Sequence, residues 1–220
     1  MILDYSRTKS FWDQRADAHM DPQKAFNLGT SEDQHRIQIL NLMEQISGDD
    51  QSAVDLGSGG GRIAIALAKR LKQIVAVDFS KRVLEVLEKN LQSRAIVNIT
   101  TLCANCFDPL PLPRHAYDAV IISGVFSCLN DQDVTKTISN AQNLLRPEGK
   151  VIVRESVGMN ERYEIDKFSE ELQAQYCAIY RTSGAIENSF RENGFSPMVS
   201  KLLYQQRKET GTWFWVFKLD

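Results

Sequence analysis

An aspartate, Asp55, closes a short apolar run and leads into a loop with glycine at Gly57, Gly59, Gly60 and Gly61. From Val54 to Ala68 the chain reads VDLGSGGGRIAIALA, a strand pattern, then glycine, then a helical pattern. That order lets backbone N–H groups come close to a ligand where side chains would block the approach. Two phosphate chemistries fit poorly. The dinucleotide pattern G-x-G-x-x-G needs its third glycine at position 62, which is Arg62, and a Walker loop needs Gly-Lys-Ser/Thr, which is absent. An acid at the strand end repels a pyrophosphate and suits a cation. Asp78 ends the next apolar run, in VAVDFS, 23 residues after Asp55. A carboxylate there accepts the hydroxyls of a ribose. It could also cap the following helix, although Ser80 is better placed for that.

Other residues have chemical options. Cys103 and Cys106 form a C-x-x-C, a spacing used by zinc and redox sites. Zinc needs two more ligands and only His115 is near, while Pro109, Pro111 and Pro113 occupy the stretch where a redox pair opens a helix. With Cys128 and Cys177 they read as reduced, partly buried thiols of a cytoplasmic protein, and no metal is expected. Arg154 and Glu155 end the fifth apolar run, either facing a substrate at the sheet edge or pairing with each other. Tyr176, Tyr180 and Arg181 suit a carboxylate or phosphate on a substrate; the plainer reading has Tyr176 in the core and Arg181 solvated. Tyr5, Phe11, Trp12 and Arg15 are candidates to close over a ligand. His19 and His35 can act as bases only if their helices fold over the site, and both read better as surface histidines.

The elements that must position these residues alternate between strand and helix, which indicates a doubly wound α/β fold. Strands are expected at Ser52–Leu56, Ile74–Asp78, Asn98–Cys103, Tyr117–Ser123 and Lys150–Ser156. Helices are expected at Arg62–Leu71, after Ser80, at Asp131–Leu145 and at Ser183–Asn193, the last ended by Gly194. Ile165, Phe168, Leu172, Tyr176 and Ile179 recur at helical spacing and predict an inserted helix within residues 157–182. Met198–Gln205 and Thr212–Leu219 read as a hairpin that ends the sheet with an antiparallel strand. Ahead of the sheet, helical stretches Thr8–Met20 and Ser31–Ile46 form a cap over residues 1–48, with Gly29-Thr30 as a hinge. Ser31 and Gln34 suit a capping box.

Composition limits the function classes. The 220 residues suit one domain over 1–220, long enough to bury roughly 70% of the unfolded surface. A net charge of -2 argues against a dedicated nucleic-acid binder. No apolar run approaches the ~18 residues of a membrane helix, and the N-terminus lacks the apolar core of a signal peptide.

Taken together, VDLGSGGG, VAVDFS, LCANCFDPLP, YDAVIISGVF and LLRPEGKVIV resemble the ordered motifs of the class I S-adenosylmethionine-dependent methyltransferases. The resemblance covers about 150 residues, Ala53 to Phe195 and the terminal hairpin. It implies a Rossmann-like seven-stranded sheet in the order 3-2-1-4-5-7-6 with the last strand antiparallel. S-adenosylmethionine is the implied cofactor, with S-adenosylhomocysteine as product. Asp55 is then placed at the methionine ammonium, Gly57, Ser58, Gly59 and Gly61 against the cofactor, Asp78 at the ribose and Phe79 on the adenine. Asn105 stands where the family often has an acid near the adenine amine, with Cys106 and Phe107 beside it. Ser123 borders the methionine end. Arg154, Glu155, Tyr176, Tyr180, Arg181 and Trp12 are the expected acceptor contacts. The resemblance implies methyl transfer to oxygen or nitrogen of a small acceptor, anionic or sugar-linked among the options. No histidine follows the fourth strand, so one common candidate base is missing. The alternative is a silent, cofactor-binding partner subunit.

Overall fold

The computed structural model describes residues 1–18, 26, 28, 30–47, 51–170 and 172–220. Seven strands form one sheet: β1 (Ser52–Leu56), β2 (Gln73–Asp78), β3 (Ile99–Cys103), β4 (Tyr117–Ser123), β5 (Leu145–Gly158), β8 (Phe195–Gln205) and β9 (Thr210–Leu219). Their order is β3-β2-β1-β4-β5-β9-β8. The first five run parallel, and β9 is antiparallel to both β5 and β8. With β8 and β9 as the sixth and seventh strands of the sheet, this is the 3-2-1-4-5-7-6 order expected.

Alternation along each strand feeds two cores. Val54, Leu56, Val120, Ile122, Val151 and Val153 face one side, where α5 (Asp131–Leu144) and α6 (Ser183–Glu192) pack. Ala53, Ala76, Ala119, Ile121, Ile152 and Phe214 face the other, under α2 (Glu32–Glu44), α3 (Arg62–Leu67) and α4 (Lys81–Ser93). This parity places Arg154 on the α2–α3 side and Glu155 on the α5–α6 side.

Both cap helices are tied to the body. In α1 (Tyr5–Ala18) the Tyr5 hydroxyl donates to Asp133 Oδ2 at 2.5 Å and accepts from the Asn130 N–H at 3.0 Å. Helix α2 opens with the expected capping box between Ser31 and Gln34, and its Gln38 amide bonds the Tyr204 hydroxyl on β8. The Gly29 half of the expected hinge, and His19, lie outside the described residues.

Three expectations change. The described residues within 157–182 carry no helix; β6 (Tyr163–Ser169) and β7 (Ala174–Tyr180) form an antiparallel hairpin there. Helix α3 stops at Leu67 instead of Leu71. Strand β5 begins at Leu145, and Pro147 and Gly149 mark a register shift opposite Tyr117 and Ala119, with Glu148 at φ 66°. The helix-stop residues therefore shape a bulge within the strand.

Candidate functional site

The glycine loop is pinned over the tips of β1 and β2. The Gly57 and Ser58 N–H groups donate to the Val77 carbonyl at 2.8 and 2.9 Å. Asp78 completes the anchorage: Oδ2 accepts from the Gly59 N–H and Oδ1 from the Ser80 N–H, both at 3.0 Å. Ser80 itself caps α4, accepting from the Val83 N–H at 3.1 Å. The glycines have different tasks. Gly57 and Gly61 have φ of 75° and 81°, and a Cβ would strike Val125 at the first and Leu87 at the second. They are required by left-handed backbone and close packing. At Gly59 the nearest atom to an added Cβ, in the Phe26 ring, is 3.9 Å away. Gly59, itself left-handed at φ 54°, thus has open space beside its backbone.

Asp55 is buried, and its Oδ2 has no hydrogen-bond partner among the described residues; the same holds for Ser58 Oγ. Burial, followed by repulsion from Asp78, pushes the Asp55 carboxyl up to about 7. Burial also raises Asp78 to about 6, against its backbone hydrogen bonds. Two adjacent raised carboxyls form a site that favours a cationic ligand with hydroxyls.

Around this cradle runs a cavity of about 1110 Å³. That is above the ~300–1,000 Å³ of a site for one small molecule, so it has room for two. Phe79, Asn105, Cys106, Phe107 and Ser123 all line it. The Asn105 side-chain amide donates to Asp108 Oδ2 at 2.7 Å, leaving its carbonyl oxygen to accept from a ligand amine. The Cys106 thiol contacts Thr137, and the Phe107 ring stacks on Tyr5 at 5.2 Å.

Beyond the cradle the walls come from distant segments. Tyr163, Ile165 and Lys167 on β6 register with Tyr180, Ala178 and Tyr176 on β7. Of these, all but Ala178 line the cavity. The Tyr176 and Tyr180 hydroxyls bond each other at 3.0 Å, and Tyr163 stacks on Tyr180. Trp12 from α1 and Arg207 from the β8–β9 turn also reach the cavity. Arg154 donates its Nε–H to Ser123 Oγ at 3.1 Å and lies against Gly124.

Glu155 and Arg181 do not line the cavity; both hold the turn after β4. Glu155 is fully buried, and its Oε1 accepts from the Val125 and Phe126 N–H groups at 2.6 and 2.9 Å. Arg181, 5% exposed, donates to the Phe126 and Leu129 carbonyls at 2.6 and 2.7 Å and to Asp131 at 2.7 Å. A carboxylate thus takes the donors of the turn and a guanidinium its acceptors. At both positions, where substrate contacts are expected from the sequence, the side chain lies against the β4 turn and not on the cavity wall. Cavity residues that sequence reading did not point to include Tyr163, Lys167 and Arg207. The β8–β9 turn was recognisable, but nothing local signals that Arg207 reaches the cavity. His35 read as a surface residue.

Residues 53–149 match the family described as a methyltransferase domain. That stretch is a methyltransferase domain, and the chain as a whole has the fold of S-adenosylmethionine-dependent methyltransferases. Phosphoethanolamine N-methyltransferase 1 of Triticum aestivum is 29% identical over 154 residues, 67% of this chain; the match spans 30% of that relative's length. A Leishmania major SAM-dependent methyltransferase superposes with a TM-score of 0.77 at 20% identity, covering 97% of this chain and 82% of that one. Burkholderia thailandensis 1,6-didemethyltoxoflavin-N1-methyltransferase, solved with bound 1,6-didemethyltoxoflavin and S-adenosylhomocysteine, superposes with a TM-score of 0.72 at 15% identity, covering 97% of this chain and 91% of that one.

S-adenosylmethionine is the cofactor of this family, and the residues present fit it. The unpartnered Asp55 and Ser58 oxygens, the space at Gly59 and the Asp78 carboxylate supply partners for an ammonium and a ribose. Asp78→Ala is expected to weaken binding of S-adenosylhomocysteine by ~1–3 kcal/mol, read by titration calorimetry. Unchanged affinity in a folded variant would refute the ribose role.

Proposed function

We propose that this protein methylates a nitrogen of a small acceptor that carries an anionic group. The observation that carries this reading is the compartment beyond the glycine cradle, where Arg154, Lys167 and Arg207 line the wall with the Tyr176–Tyr180 hydroxyl pair. Guanidinium groups and phenols recognise a phosphate or carboxylate. The relative named for phosphoethanolamine N-methylation supports nitrogen as the receiving atom. We place the activity in the cytoplasm, where the four free thiols stay reduced. Among the described residues no helix is long and apolar enough to cross a membrane.

When bound, S-adenosylmethionine supplies a methyl group on a sulfonium. The residues of this chain hold and align what surrounds it. Asp55 binds the cationic amino end, Asp78 the ribose, and the turn held by Glu155 and Arg181 keeps Ser127, Cys128 and Leu129 in the wall. A neutral amine needs no strong base to react, which suits a site without a histidine after β4.

The test offers the protein labelled S-adenosylmethionine and paired acceptors: amines with and without a phosphate or carboxylate, and matching alcohols and phenols. Methyl incorporation into the anionic amines, weakened in Arg207→Ala, is expected. Incorporation confined to oxygen or carbon acceptors would overturn the reading. Cofactor binding without turnover on any acceptor would favour the silent-subunit alternative.

A further inference from the structure

Helix α1 reaches the ribose acid by a route outside the cavity. Asp13, on α1, accepts the Ser80 hydroxyl through Oδ1, and its Oδ2 pairs with Lys9 Nζ at 2.5 Å. Ser80 is fully buried and every polar atom it has is engaged. Its Oγ also accepts from the Val83 N–H at 3.1 Å, its carbonyl accepts from the Leu84 N–H at 3.1 Å, and its N–H donates to Asp78 Oδ1 at 3.0 Å. Asp78 lines the cavity, whereas Asp13 and Ser80 do not. A continuous line of hydrogen bonds therefore runs from the cap helix to the ribose acid.

Holding α1 in place does not require Asp13. Ala16, Val83 and Val86 already pack α1 on α4 together with Trp12 and Phe26, and Asp17 pairs with Arg82 at 3.5 Å. A buried serine hydroxyl needs an acceptor, but a neutral one would serve. The residue present is a carboxylate, 24% exposed, one serine away from Asp78. Burial, with the Asp13 charge as a smaller contribution, raises the Asp78 carboxyl to about 6. A third carboxyl near Asp55 and Asp78 thus works against the unliganded fold. A local choice that costs stability beside a binding site points to a role in binding.

The bond geometry supplies that role. A carboxylate acceptor makes the Ser80 bond charge-assisted and fixes the hydroxyl. Ser80 then holds its N–H on Asp78 Oδ1, while the Gly59 N–H holds Oδ2 at 3.0 Å. The two bonds set the plane of the Asp78 carboxylate and leave lone pairs for ribose hydroxyls.

We propose that Asp13 is a positioning residue for the cofactor's ribose, acting through Ser80 on Asp78. This rests on the ribose role of Asp78. Docking of α1 and binding of the cofactor are then coupled, because the contact that seats the helix also aims the ribose acid.

A double-mutant cycle, read by titration calorimetry with S-adenosylhomocysteine, separates this role from packing. Asp13→Ala is expected to weaken binding about three- to tenfold, and to have no further effect once Asp78→Ala is present. Asp17→Ala, which removes the ion pair in the same helix interface, is expected to leave affinity unchanged. Asp13→Asn separates charge from contact, since its amide oxygen still accepts the Ser80 hydroxyl. The other charged or titratable groups along this line are Asp55 on β1, Cys106 after β3, Cys128 after β4, and Lys9 and Arg82 beside Asp13. All of them stay in Asp13→Asn. With one carboxylate fewer, Asp78 ionises at lower pH, so the pH midpoint of S-adenosylhomocysteine affinity is expected to fall by about half a pH unit. That arm uses Asp13→Asn alone and stands if the alanine variant fails to fold. Additive losses in the cycle, equal losses in Asp17→Ala and Asp13→Ala, or an unmoved midpoint in Asp13→Asn would each overturn the proposal. Asp78→Ala without effect would instead remove the ribose reading, and the role of Asp13 with it.

Discussion

Replacing Arg181 with alanine is expected to lower folding stability by ~2–4 kcal/mol, since two buried carbonyls lose charged donors at once. Arg181 bridges Phe126, Leu129 and Asp131 with its planar fork. Lysine cannot reproduce that geometry, so Arg181→Lys is expected to recover less than half of the loss. The urea midpoint measures the effect, and weaker cofactor binding is expected to accompany it because the released turn walls the cavity. Full stability with only a higher acceptor KM would restore the sequence-based reading of Arg181 as an anion clamp.

Asp55→Asn is expected to weaken cofactor binding by ~1.5–3 kcal/mol, the loss of a charge-assisted partner for an ammonium. The pH dependence has a definite sign. The Asp55 and Asp78 carboxyls have folded values of about 7 and about 6, above the ordinary 3.8. Between those limits the folded protein without ligand binds more protons than the unfolded chain. Its stability from these two groups is therefore highest at low pH and falls as pH rises through about 6 and about 7. A cationic ligand needs the carboxylates ionised, so its affinity rises over the same interval. The gap in Tm between protein with and without S-adenosylhomocysteine should widen from about pH 5 to about pH 8. In Asp55→Asn most of that widening is lost. A gap independent of pH in the unmutated protein would refute the assignment.

The cradle was legible because it is local: strand, acid, glycine loop and helix follow one another between Ser52 and Leu67. The sheet order came from the motif resemblance and the terminal hairpin. The β6–β7 hairpin was hidden by a false period. Ile165, Phe168, Leu172, Tyr176 and Ile179 fall three or four apart, but they belong to two strands and the turn between them. That turn has neither glycine nor proline, and Gln173 takes a φ of 50° that glycine would ordinarily signal. The internal bonds of Arg181 and Glu155 were hidden for another reason. Their partners lie 29 to 55 residues away in sequence, so only the folded chain shows that their charges are used internally.

The guanidinium that bonds the β4 turn sits immediately after β7, at the exit of the hairpin that walls the cavity. The two regions are consequently one unit of inheritance. A hairpin grafted from another methyltransferase to change acceptor choice brings its own residue at position 181, and with it a new fit to the turn. Redesign of selectivity therefore has to transplant residues 125–131 together with 163–181, while the glycine cradle can remain as it is.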